Sequence, residues 1–111
     1  MILTAILTLA LAQQAPAQPL SWAETVRCAG LTQAASELEG GESREGRALS
    51  DAALFWALAT AQAGAAAGKS EIEVDREQTA ARTLAVRQLT RRDPAARETL
   101  AACRARTPNL G

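Results

Sequence analysis

Histidine and tyrosine are absent from the 111 residues, Lys69 is the single lysine, and Phe55, Trp22 and Trp56 are the only aromatic side chains. The first absence excludes a histidine general base and a histidine metal ligand; the second excludes a tyrosyl acid. An excess of either charge is also missing, since twelve basic residues face twelve acidic ones. A nucleic-acid binder would need a basic surplus to neutralise phosphates. No apolar run approaches the roughly twenty residues that a membrane span requires. What is abundant is alanine, with arginine in place of lysine, a bias that fits a high-GC bacterial genome.

The longest apolar stretch runs from Ile2 to Leu11 and includes two threonines. Its length suits the core of a secretory signal peptide. Small-x-small cleavage sites follow at Ala10-Leu11-Ala12 and Ala15-Pro16-Ala17. The second leaves the polar pair Gln13 and Gln14 between the apolar core and the cut. The expected organisation is therefore a signal peptide over residues 1–17 and one helical domain over 18–111, periplasmic or secreted. No Lys or Arg precedes the apolar run, which departs from the usual pattern. An uncleaved anchor or a buried first helix is the alternative. Cys28 is not a lipidation cysteine, because Arg27 stands directly before it.

Two cysteines in an exported chain read as one disulfide, Cys28 with Cys103. Two free thiols or a metal pair are the alternatives. A zinc site normally takes four Cys and His ligands, and a redox pair normally sits in Cys-x-x-Cys, so neither pattern is met. The bridge would close a loop of about 75 residues and contribute roughly 4 kcal/mol. Fewer than twenty large apolar side chains serve residues 18–111, so a small core would depend on it.

The pattern predicts an all-α fold, a four-helix up-down bundle of three longer helices and a short C-terminal one. Ser21-Trp22-Ala23-Glu24 is a capping box that starts the first helix, which runs to about Glu39 and stops at Gly40-Gly41. Cys28, Leu31, Ala35 and Leu38 form its apolar row, widened by Trp22, Val26 and Ala29. A glycine-rich loop is expected over Glu39 to Gly46. The second helix is placed from near Ser50-Asp51, or a turn earlier, to about Ala63. Its segment Ala52 to Ala59 is apolar all round, which suits a helix in the middle of a bundle. Ser70-Glu71-Ile72-Glu73 is a second capping box, opening a third helix to about Arg92 with Val86 and Leu89 on its buried side. Asp93-Pro94 reads as a cap and a first-turn proline, and the fourth helix carries Ala96, Leu100 and Cys103 on one face. Residues 18–68 carry a net charge of −3 and residues 69–111 one of +3, a weak preference of the halves for each other.

Few residues suggest chemistry. Ala63-Gly64-Ala65-Ala66-Ala67-Gly68-Lys69-Ser70 meets the loose form of a phosphate-binding loop with Ala for the first Gly. Such a loop works only between a strand and a helix, and the segment before it reads as helix. It is expected to be an alanine-glycine turn, with no nucleotide bound. Glu71, Glu73, Asp75 and Glu77 crowd the start of the third helix, where acidic groups complement the helix dipole. Neither cofactor nor metal is expected, and no catalytic residue is nominated, because no nucleophile stands beside a base. Arg91-Arg92 and Arg104/Arg106 are the most basic areas, expected near opposite ends, and suit either an anionic partner or solvated helix ends. Phe55 and Trp56 point about 100° apart on a helix, so one of them can reach the surface. Trp22, Phe55 and Trp56 join the four arginines as candidate interaction residues.

With a signal peptide, Trp22 near the start of the domain, one long-range cysteine pair and helices throughout, the chain resembles small exported single-disulfide proteins of high-GC proteobacteria. The resemblance covers the whole chain and rests on no specific motif. Periplasmic acid-stress chaperones are similar in size, helicity and single disulfide, although the cysteines here lie farther apart; that likeness concerns the fold alone. The resemblance implies a non-enzymatic interaction or structural protein of the cell envelope, monomeric or weakly dimeric, with a stress chaperone as the alternative and a small enzyme as a weaker one.

Overall fold

A computed structural model describes residues 20–108; the expected signal peptide lies outside the described residues. Four helices and no strand occur among them: α1 Trp22–Glu39, α2 Arg44–Ala66, α3 Glu71–Thr90 and α4 Pro94–Ala105. None is long and apolar enough to cross a membrane.

The helix ends follow side-chain chemistry. Ser21 Oγ accepts the Glu24 N–H at 3.1 Å while Glu24 returns a carboxylate to the Ser21 N–H at 3.1 Å. Ser70 and Glu73 repeat the arrangement at the start of α3. Each box satisfies donors that the first helical turn leaves open. Asp93 stands at the N-cap of α4 but makes no side-chain capping bond, so Pro94 alone marks that start.

α2 begins at Arg44, before the expected Ser50-Asp51 and somewhat before the alternative start one turn earlier. Ser43 caps it by accepting the Gly46 N–H at 2.9 Å. Gly46 is not a loop residue. It sits buried in the first turn, where a Cβ would lie 1.7 Å from the Gly40 carbonyl oxygen. Its missing side chain lets the chain fold back tightly from α1 into α2.

The central helix is α1, not α2 as the apolar segment Ala52 to Ala59 suggested. α1 packs against α2, α3 and α4. Its residues Cys28, Ala29, Gly30, Leu31 and Thr32 are all buried. Five consecutive residues pass all the way round a helix, so α1 is covered on every side over that stretch. α2 instead turns Ala52, Ala53 and Trp56 inward and leaves Leu54 and Leu58 each 58% exposed. Small side chains decide which helix is enclosed, because they let two neighbours approach the same backbone. Thr32 and Thr60 are fully buried, and each hydroxyl donates to the carbonyl four residues back at 2.7 Å, which removes the cost of an unpaired group.

Gly30 marks the closest approach of α1 to α3: a Cβ there would lie 2.6 Å from the Ala81 carbonyl carbon. Backbone does not yield as a flexible side chain does. Gly30→Ala should therefore cost roughly 1–2 kcal/mol, even after ~1 kcal/mol of improved helix propensity is credited. A thermal melt should show Tm falling by about 4 °C or more. An unchanged or raised Tm would mean that α1 and α3 separate freely.

Two helices end on matching hydrogen bonds with different residues. After α2, Lys69 N–H donates to Gly64 O and Gly68 N–H to Ala65 O, with Gly68 at φ 75°. After α3, Asp93 N–H donates to Gln88 O and Arg92 N–H to Leu89 O, with Arg92 at φ 57°. Both are Schellman ends, which place one residue in the left-handed region. Glycine takes that conformation without steric cost and arginine does not. Arg92→Gly should stabilise the fold by roughly 0.5–1 kcal/mol, the left-handed penalty less the entropy of glycine. A raised urea midpoint checks this; a lowered one would show the Arg92 side chain holding the end of α3.

Candidate functional site

Cys28 of α1 and Cys103 of α4 are joined, with sulfurs 2.07 Å apart and Cα atoms 5.5 Å apart. Both lie in the core cluster with Ala29, Leu31, Ala34, Trp56, Ala85 and Ala96. Ala29, buried beside Cys28, adds little bulk to α1 there.

The aromatic candidates are part of this framework. Trp56 is 3% exposed and its indole N–H donates to Thr107 Oγ1 at 2.9 Å and to the Cys103 carbonyl at 3.3 Å. Phe55 is half-buried and meets the Trp56 ring edge-on, centroids 5.2 Å apart. Trp22, also half-buried, donates its indole N–H to Glu77 at 3.1 Å and carries the Lys69 ammonium 5.1 Å above its ring. Lys69 closes the triangle with Glu77 at 3.1 Å. The stretch Ala63 to Ser70 is thus the end of α2 and a turn, with its lysine committed to Trp22 and Glu77. Gly64 is buried against Val74 and Trp22, so closely that a Cβ would meet Val74 at 2.4 Å. No group of three or more Cys, Asp or Glu is gathered for a metal ion among the described residues, so Glu71, Glu73, Asp75 and Glu77 stay dispersed.

The arginines divide differently from the sequence expectation. Arg92 and Arg104 do not mark opposite ends; both line one groove of about 500 Å³. It opens where α1 ends, α2 begins, α3 ends and α4 passes. Leu38, Leu49, Leu89 and Leu100 form its apolar surface, and Leu38, expected on the buried row of α1, is 52% exposed there. Arg104 is held by Glu45, and its guanidinium, as hydrogen-bond donor and as charge, pulls the Glu45 carboxyl below the usual carboxylate range. Arg97, passed over in the sequence, also lines the groove. Its signal was the spacing Arg97, Leu100, Ala101, Arg104 along one face of α4. Arg92 and Arg97 form no ion pair or side-chain hydrogen bond among the described residues. Arg91 is exposed beside them, while Arg106 lies toward the start of α1, within electrostatic reach of Glu24.

Two other carboxylates join helices. Glu37 of α1 accepts Arg82 Nε of α3 at 2.7 Å and Gln33 at 3.0 Å; the Gln33 bond is the larger cause of its lowered pKa, with Arg82 adding to it. Glu77 is lowered first by the Trp22 indole and then by Lys69. The groove sets the side chains of Arg92, Arg97 and Arg104 beside those of four leucines.

Comparison of the chain with family models, with curated proteins and with solved structures found no match.

Proposed function

We propose that the chain is an exported, non-enzymatic helical protein of the cell envelope with an interaction or structural role. Residues 1–17 would be removed as a signal peptide, and 18–111 would act as one domain, monomeric or weakly dimeric, arranged as an up-down bundle. The observation that carries this reading is the Cys28–Cys103 pair, buried in the core and linking the first helix to the last. A bridge of that kind persists in an oxidising compartment and is rare in the cytosol. The up-down arrangement is supported by Trp22 lying against Gly64 while Ser36 meets Ser50, at opposite ends of α1 and α2. Trp22 and Trp56 are bound up in the fold. Partners, whether a protein or another envelope component, would therefore meet the exposed leucines and the groove arginines. Neither nucleic acid nor nucleotide is proposed.

The test is the intact mass of protein recovered from the periplasm, before and after reduction and alkylation. A mass starting at Gln18 that alkylates only once reduced is expected. A full-length mass with two freely alkylated thiols would overturn the reading.

A periplasmic stress chaperone is the second reading, favoured by the ion pairs of Glu37 and Glu45, which join helices, and of Glu77, which ties the α2–α3 turn to α3. All three carboxyl pKa values are lowered in the folded state. Their contribution is complete above the unfolded value of about 4.3 and is lost as pH falls through the folded values. The urea midpoint should be flat between about pH 5.5 and 8, where no histidine titrates, and should fall below pH 4.3. Because these pairs are exposed, the fall should be small, which keeps this reading second. Dye binding to exposed apolar surface and protection of an aggregating client at pH 3 would promote it; a native, dye-silent protein at pH 3 would sink it.

A further inference from the structure

The groove at the α1–α2 turn combines leucine side chains with arginines that have no partner among the described residues. Its lining is hydrocarbon from four helices, and a leucine stands half out in water at its wall. Arg92 and Arg97 line it as well, and neither pairs with a carboxylate among the described residues. Glu39 and Glu45 also line the groove; with Glu45 paired to Arg104, the guanidinium groups of Arg92 and Arg97 outnumber the remaining carboxylate of Glu39 two to one. The groove has a volume of about 500 Å³ and is open to solvent along one side, which suits a ligand that keeps part of its surface in water.

Each half of the lining selects part of a ligand. Guanidinium groups form short, charge-assisted hydrogen bonds to carboxylate or phosphate oxygens. Leucine surface gains by covering alkyl carbon. An inorganic anion would leave the leucines wet, and a neutral hydrocarbon would strip water from unpaired cations. We propose that this groove binds a single-chain anionic amphiphile of the fatty-acid class. Its head group sits on Arg92 and Arg97, and its alkyl chain lies along Leu38, Leu89 and Leu100, over the buried Leu49. The inference does not depend on export, since it rests on the groove alone.

Full-length oxidised protein is titrated with decanoate below its micellar concentration, followed by backbone amide shifts. Decyl maltoside and decyltrimethylammonium serve as neutral and cationic controls of equal chain length. The expected result is saturable 1:1 binding to decanoate, with shifts around Leu38, Leu89 to Arg97 and Leu100. Both controls should bind about tenfold more weakly or less. R92G/R97Q should weaken decanoate by about tenfold or more, and Leu38→Ser by a smaller factor, with the parent spectrum otherwise kept. Decyl maltoside or decyltrimethylammonium binding as tightly as decanoate would overturn the proposal, even if a variant failed to fold. Shifts centred on Leu54 and Leu58 would overturn it too. So would binding to phosphatidylglycerol vesicles without binding to monomeric decanoate, which would place these cations against a membrane surface instead.

Discussion

Replacing both cysteines with alanine should cost the domain roughly 4 kcal/mol, the loop-closure entropy of a bridge spanning 75 residues. Lost packing adds to that figure, because Cys28 and Cys103 are both buried in the core cluster. With an m-value of about 1 kcal/mol/M for a domain this small, the urea midpoint should drop by about 4 M. Domains have about 5–15 kcal/mol in all, and a core filled largely by alanine belongs at the low end. The double variant should therefore be partly unfolded at 37 °C. Reduced wild-type protein separates the two contributions, since it loses the cross-link but keeps both sulfur atoms in place. It should fall most of the way toward the variant. If oxidised and reduced protein unfold within about 1 M urea of each other, the helices are held by their side chains, and the bridge is dispensable to stability.

The sequence disclosed helix ends better than helix neighbours, and the reason is physical. Capping is local chemistry: Ser21 with Glu24, Ser70 with Glu73, and Pro94 each act within one turn and can be read three residues at a time. The start of α2 escaped because Gly46 carries the same letter whether it loosens a loop or fits under Gly40. The central position of α1 escaped for a related reason. A criterion of apolarity favours Leu54, Phe55 and Leu58, whereas enclosure selects the small residues Ala29, Gly30 and Ala34. Trp22 and Trp56 were candidate contacts because aromatics are common at interfaces. Both indoles instead donate inside the molecule, to Glu77 and Thr107, partners 55 and 51 residues away that no local pattern reveals. The groove was the least legible part. Leu38, Leu49, Leu89 and Arg97 come from four helices, and only the α4 face carried a periodic trace of it.

Trp56→Ala should be comparably severe, costing roughly 3–5 kcal/mol for a large buried side chain. The ring fills the space between α2 and α4, and Phe55 rests edge-on against it, so the neighbours have little with which to close the cavity. Trp56→Phe isolates the indole hydrogen bonds. Thr107 Oγ1 would lose the Trp56 N–H but would still donate to the Cys103 carbonyl at 2.9 Å. The Cys103 carbonyl likewise keeps the Thr107 hydroxyl and the Arg106 N–H. Neither acceptor is orphaned, so the Phe variant should lose only about 1–2 kcal/mol. Circular dichroism in urea measures both variants without relying on tryptophan emission. A loss under about 1.5 kcal/mol for Trp56→Ala would mean that the core is not organised around this ring. The ring and the bridge fasten the same helix, so their effects should not add. Removing either leaves α4 one anchor. Removing both leaves Ala96, Leu100 and the exposed Arg104–Glu45 pair, and exposed pairs contribute little. Amide exchange in reduced Trp56→Ala should then show α4 opening before α1, whose buried small residues remain covered by α2 and α3.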